Sequence, residues 1–222
     1  MQAMIALWKK DWFVNWKTIF MCALLICLYS PMIANVFIFG LLIMLNCFSV
    51  FREDKQSLVY IFLKSLPTRP KTIVYSRYTL LLMLVCLSTL LMWLLNWWVS
   101  YAKRDDPLNF IYPYQVQDVI FIFSIILIIL SISLPMVYFF KSQLVVYSLM
   151  ICWGGLWLLA FYWSDAYAEK QNQYDFFEQS TRGASDWLAL VMPLSSGVTV
   201  ILGVIAYLAS MFLTEQLLKR KP

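Results

Sequence analysis

Four stretches of this chain, 78–100, 119–140, 144–163 and 187–213, each run for at least 20 residues without one Asp, Glu, Lys or Arg. A run of about 20 apolar residues is what a helix needs to cross a hydrocarbon layer. Inside that layer only helices and closed barrels satisfy their own backbone. Helical spans account for runs of this length, and the fold class they dictate is an all-α, polytopic membrane protein. Composition points the same way: 62% of the 222 residues are hydrophobic and only 13% are charged, against about 45–50% and about 25% in soluble domains. The surplus apolar surface must face lipid or other spans.

A fifth apolar stretch, 18–51, is too long for one crossing. Its 34 residues would make a helix of about 51 Å, whereas a hydrocarbon core is ~30 Å thick. Tyr29-Ser30-Pro31 interrupts it, because proline cannot donate to the preceding turn and biases the residue before it away from helix. The reading is a tight hairpin with spans at 12–29 and 32–51. The chain is then one transmembrane domain, 1–222, with six spans and both termini on one side.

The charges test that count. Thirteen Lys and Arg fall in the N-terminal segment, in 52–77, at Lys141 and at the C-terminus, while the loops 101–118 and 164–186 hold only Lys103, Arg104, Lys170 and Arg182. Acids are distributed oppositely, four on the first side and eight on the second. Basic loops stay inside, so the first side is cytoplasmic and the modest net charge of +5 hides a steep asymmetry. Trp93, Trp97, Trp98, Tyr101, Tyr162 and Trp163 then stand at the outer ends of their spans, as an aromatic belt requires. Lys9, Lys10 and Lys17 lead into the hairpin and not into a small-residue cleavage site, so no cleavable signal peptide is expected.

Several chemistries are excluded. There is no histidine, and none of Cys22, Cys27, Cys47, Cys86 and Cys152 has CxxC spacing, which argues against zinc sites, disulfide frameworks and His-based catalysis. No GxxxxGK[ST] phosphate loop occurs. Ion-coupled carriers keep ionisable residues at mid-membrane, and here only Asn46 and Asn96 are polar candidates, equally readable as helix-to-helix hydrogen bonds. Asp118, Asp186 and the acidic outer loop offer carboxylates but no paired or metal-ligand arrangement within a span. If transport is the task, a partner supplies the energy.

Two cytoplasmic elements stand out. Residues 1–17 place Met1, Ile5, Trp8, Trp12 and Trp16 in one stripe with Lys10 and Lys17 roughly opposite, the pattern of an interfacial amphipathic helix. Between spans two and three, Leu58, Val59, Phe62, Leu63 and Leu66 share one helical face while Gln56, Ser57, Tyr60 and Lys64 share another. Pro67 and Pro70 end that helix and turn the chain back, with Lys71 and Arg77 as inner-interface anchors.

The run Phe51, Glu53-Asp54-Lys55, Ser65-Leu66-Pro67-Thr68-Arg69, Lys71-Thr72-Ile73-Val74 and Ser76-Arg77-Tyr78 resembles the signature of short six-span permeases of type 2 ATP-binding-cassette exporters. These include bacterial exporters of bacitracin-like antibiotics and of amphipathic peptide toxins. Leu134-Pro135-Met136-Val137-Tyr138-Phe139-Phe140-Lys141 is similar to the family's proline-aromatic-basic turn into span five, although Ser142-Gln143 replaces its glycine. The resemblance implies a cytoplasmic coupling segment at 52–71, in which Glu53, Asp54 and Lys55 lead into the contact with an ATPase and the helix bearing Leu58, Tyr60, Phe62 and Lys64 makes it. It implies an N-terminal interfacial elbow carrying Trp8, Trp12 and Trp16. It also implies two permease copies, identical or paralogous, and two cytoplasmic ATPases that bind ATP and Mg, with no cofactor on this chain. Small residues four apart, Thr199 and Gly203, then Ala206 and Ser210, permit close helix packing within a subunit or across a dimer.

The expected function is export of an amphipathic or hydrophobic substrate, a peptide toxin or antimicrobial peptide, across a bacterial cytoplasmic membrane. The chain itself is not an enzyme and has no nucleic-acid partner. The alternative is a non-transporting immunity or stress protein that sequesters a peptide at the bilayer.

Overall fold

The computed structural model describes residues 70–102, 114–140, 142–170 and 196–219, together with residues 40–45, 47 and 48 and isolated positions between 9 and 24. Four long helices carry the architecture: α1 (Pro70–Ala102), α2 (Val116–Phe139), α3 (Gln143–Lys170) and α4 (Ser196–Lys219). All four are long and apolar enough to cross a membrane. They contain the four charge-free runs of the sequence, apart from residues 187–195, which lie outside the described residues, and Phe140, which follows the end of α2. Most of the proposed first and second spans also lies outside the described residues; within them residues 12, 13, 16, 17, 20 and 24 and residues 40–45, 47 and 48 are helical.

Helix ends depart from the hydropathy boundaries for identifiable reasons. The expected third span, 78–100, is the inner part of a 33-residue helix, about 50 Å long at ~1.5 Å per residue. Pro70 begins it, where a fixed φ and a missing N–H cost nothing. Lys71 and Arg77, expected as anchors flanking the span, thus belong to α1 itself. Lys71 is exposed and lies over the Tyr75 ring at 5.2 Å, whereas Arg77 is buried. α2 starts on a reciprocal cap: the N–H of Gln115 donates to Asp118 Oδ2 at 3.1 Å and the N–H of Asp118 donates to the Gln115 carbonyl at 3.1 Å. A carboxylate there also complements the positive end of the helix dipole. At the turn into α3, the N–H of Leu144 donates to Ser142 Oγ at 3.2 Å. Ser142, which stands where the resembling permeases carry glycine, is therefore an N-cap.

The spans alternate in direction. Asn96 Oδ1, near the end of α1, accepts the N–H of Tyr114, just before α2, at 2.7 Å. α2 ends at Phe139 and α3 begins at Gln143, and Tyr78 near the start of α1 meets Ser210 and Thr214 near the end of α4. The start of α1 and the end of α4 thus share one side, as the charge asymmetry requires.

α2 is the centre of the bundle and packs most extensively along α4, with α1 against both and α3 against α2. The α2–α4 approach depends on Gly203: a Cβ there would lie 3.1 Å from the Ser124 carbonyl oxygen and 3.4 Å from its Cα. α3 turns most of its surface outward, with Leu144, Ile151, Leu156, Leu158, Leu159, Tyr162 and Trp163 exposed, the surface expected against lipid. The deeply buried Trp157 sits on Gly40, where an added Cβ would fall 2.5 Å from the ring, and its Nε1 donates to Met44 Sδ at 3.2 Å. Trp97, Trp98, Tyr101, Tyr162 and Trp163 are exposed at the ends assigned to the outer interface, and Trp97 stacks on Tyr101 at 5.9 Å.

Candidate functional site

Polar groups inside a membrane bundle are costly unless paired, so their placement locates the parts of the molecule that are specified most tightly. They gather at the inner ends of α1 and α4. Tyr78 of α1 and Tyr207 of α4 are both buried, with ring centroids 5.1 Å apart. Tyr78 Oη lies 2.8 Å from Ser210 Oγ, 2.7 Å from Thr214 Oγ1 and 3.1 Å from the Ser210 carbonyl oxygen. Tyr207 Oη donates in the opposite direction, to the backbone carbonyl of Tyr78 at 2.7 Å.

Thr214 Oγ1 donates to the Ser210 carbonyl at 2.9 Å, an acceptor also within reach of Tyr78 Oη, and the contacts of Tyr78 Oη with Ser210 Oγ and Thr214 Oγ1 can run in either direction. Every hydroxyl then has a partner. Nearer the end of α4, the buried Glu215 accepts from Lys219 Nζ at 2.7 Å, and the charge of Lys71 on α1 also bears on that carboxylate. Arg77 and Ser76 are buried on the same stretch of α1.

The outer end carries a smaller group. Asn96, a candidate intramembrane relay, spends its carbonyl oxygen on the Tyr114 backbone, the helix-tying alternative. Burial pushes the Tyr114 phenol well above its ordinary range, and the nearby Asp118 charge adds to the shift. Asp118 itself caps α2. Among the described residues no group of His, Cys, Asp and Glu can hold a metal ion. The cluster links α1 and α4 mechanically and electrostatically.

Of the residues singled out from sequence, Glu53, Asp54, Lys55, Leu58, Tyr60, Phe62, Lys64, Trp8 and Asn46 lie outside the described residues. Trp12 and Trp16 are helical and about half exposed, at 50% and 48%. The small-residue stripe of α4 is used within the chain: Thr199 is buried, Gly203 meets α2, Ala206 is half-buried and Ser210 bonds Tyr78. Sequence reasoning missed that the stripe continues through Tyr207 and Thr214. The positions 203, 207, 210 and 214 follow the i, i+4, i+7, i+11 spacing of one helical face, which was the available signal.

Residues 6–217 match a family model described as ABC-2 family transporter protein. No curated protein and no solved structure matches the chain.

Proposed function

The chain belongs to the ABC-2 family of transporter proteins, membrane components that work with a separate ABC ATPase, and we propose that it is the permease of an exporter for amphipathic or hydrophobic peptides. The observation that carries this reading is the family match over nearly the whole chain. It is joined by the charge-free interiors of the spans, which leave no proton or ion relay and place the energy source in the partner.

In this proposal two permease copies and two ATPases assemble in a bacterial cytoplasmic membrane, both permease termini facing the cytoplasm. ATP and Mg bind the partner subunits. Their closure presses on the segment 52–71, with Glu53, Asp54 and Lys55 at the contact and Leu58, Tyr60, Phe62 and Lys64 on the helix that receives the push. Trp8, Trp12 and Trp16 hold the N-terminal elbow in the inner interface. The peptide class is supported by the resemblance to exporters of bacitracin-like antibiotics and peptide toxins. It is supported also by the apolar, aromatic-rich surfaces, which adapt to varied amphipathic shapes.

The test is co-purification with the ATPase and measurement of its turnover. Replacing Glu53 and Asp54 by alanine, or Leu58 and Phe62 by serine, is expected to lower permease-dependent ATPase activity at least ten-fold while the chain still inserts. Unchanged activity in both variants would remove segment 52–71 from the mechanism.

A further inference from the structure

We infer that Tyr78 and Tyr207 form a two-point clasp that makes the start of α1 and the end of α4 move as one body. Each helix contributes one tyrosine directed at the other. Tyr78 reaches across to Ser210 and Thr214 on α4, while Tyr207 reaches back to the main-chain carbonyl of Tyr78 on α1. A single cross-helix hydrogen bond permits rotation about itself. Two running in opposite directions, separated by the 5.1 Å ring contact, fix both rotation and sliding.

The surroundings strengthen the restraint. Both tyrosines are almost wholly inaccessible, at 1% and 3% exposure, so water does not compete for the hydroxyls and parting the helices would strand both buried phenol groups. Beside the same helix ends Glu215 pairs with Lys219 on α4 itself, and the charge of Lys71 on α1 favours that carboxylate.

The position gives the clasp its consequence, which rests on the transport reading above. Pro70 begins α1 directly behind the segment proposed to meet the ATPase, and Tyr78 lies eight residues later, a rise of about 12 Å. A push delivered to that segment therefore reaches α4 through the clasp before it reaches mid-membrane. Gly203 then passes the displacement to α2, because the α4 backbone rides directly on Ser124. Tyr78 and Tyr207 are positioning residues: neither needs to touch substrate.

The test uses the full chain in lipid nanodiscs, with its native cysteines replaced by alanine and spin labels at Lys71→Cys and Gln216→Cys, both exposed positions. The distance distribution between the labels is expected to be narrow in the parent. It should broaden or gain a longer component in Tyr78→Phe/Tyr207→Phe, which removes only two hydroxyls. The pair Ser210→Ala/Thr214→Val removes both hydroxyl partners of Tyr78 with the rings untouched and should broaden the distribution in the same direction, and the triple variant Ser210→Ala/Thr214→Val/Tyr207→Phe carries the test if the tyrosine pair does not fold. With the partner ATPase present, these variants are expected to keep ATPase binding while transport per ATP falls at least ten-fold. Superimposable distance distributions in parent and variants would overturn the clasp. If the parent shows no ATP-driven transport, the transport reading fails, and the label distances still decide the clasp by themselves.

Discussion

At the scale of single residues, the two glycines Gly203 and Gly155 make opposite demands. A Cβ at Gly203 would press on the Ser124 backbone, which cannot swing aside as a side chain does, whereas nothing lies within 4 Å of one at Gly155. Gly203→Leu should force α4 off α2 and destabilise the bundle by about 1–3 kcal/mol, the usual range for overpacking; Gly155→Leu should be neutral. Thermal unfolding of the two solubilised variants side by side checks this, and equal midpoints would contradict the α2–α4 contact. The glycine was legible in sequence as part of a small-residue pattern, but its partner was not, because small residues four apart serve packing within a chain and between chains equally. The burial of Arg77 was illegible for a related reason. A cation at the start of a span reads as an interface anchor, and only the tertiary fold shows α1 continuing past it with α2 and α4 alongside.

At the scale of elements, hydropathy located all four described spans, one of them with the same bounds, 144–163, while the helices that hold them do not end where the charge-free runs do. It measures how much chain suits hydrocarbon, and α1 extends beyond that layer: its first two turns carry Lys71 and Arg77, which a hydropathy reading assigns to a connecting segment. The α2–α3 turn was legible as a turn but not as a cap, since the Ser142 contribution depends on its Oγ meeting the Leu144 N–H. Ser142→Ala is expected to cost ~1 kcal/mol and to speed amide exchange in the first turn of α3, leaving α1 and α4 unchanged. Hydrogen exchange read by mass spectrometry resolves that difference, and uniform exchange across α3 in both forms would remove the cap from the account.

At the scale of the whole molecule, the helix directions put the start of α1 and the end of α4 on one side, and the distribution of basic residues predicts that this side is cytoplasmic. Thirteen of the seventeen basic residues fall in the sequence segments that the six-span reading assigns to that side. Lys71→Cys and Lys170→Cys, both exposed, should therefore behave oppositely toward a membrane-impermeant maleimide. The label should reach position 170 in intact cells and position 71 only after permeabilisation; the reverse pattern would invert the topology. The membrane class was legible from composition and the family from short motifs between Phe51 and Tyr78, because lipid imposes long charge-free runs that no soluble fold imitates. The clasp between α1 and α4 was not, since a tyrosine, a serine and a threonine in apolar sequence show no partner until the helices are packed.

The central claim is that this chain turns a partner's ATP hydrolysis into outward movement of a peptide. Its most direct test is uptake of a fluorescent amphipathic peptide into inside-out vesicles that contain the chain and its ATPase. We expect uptake that requires ATP and Mg, persists when the proton gradient is collapsed, and disappears with an ATPase that binds but cannot hydrolyse ATP. Uptake driven by the proton gradient without ATP, or no uptake from vesicles in which the ATPase is active and bound, would contradict it.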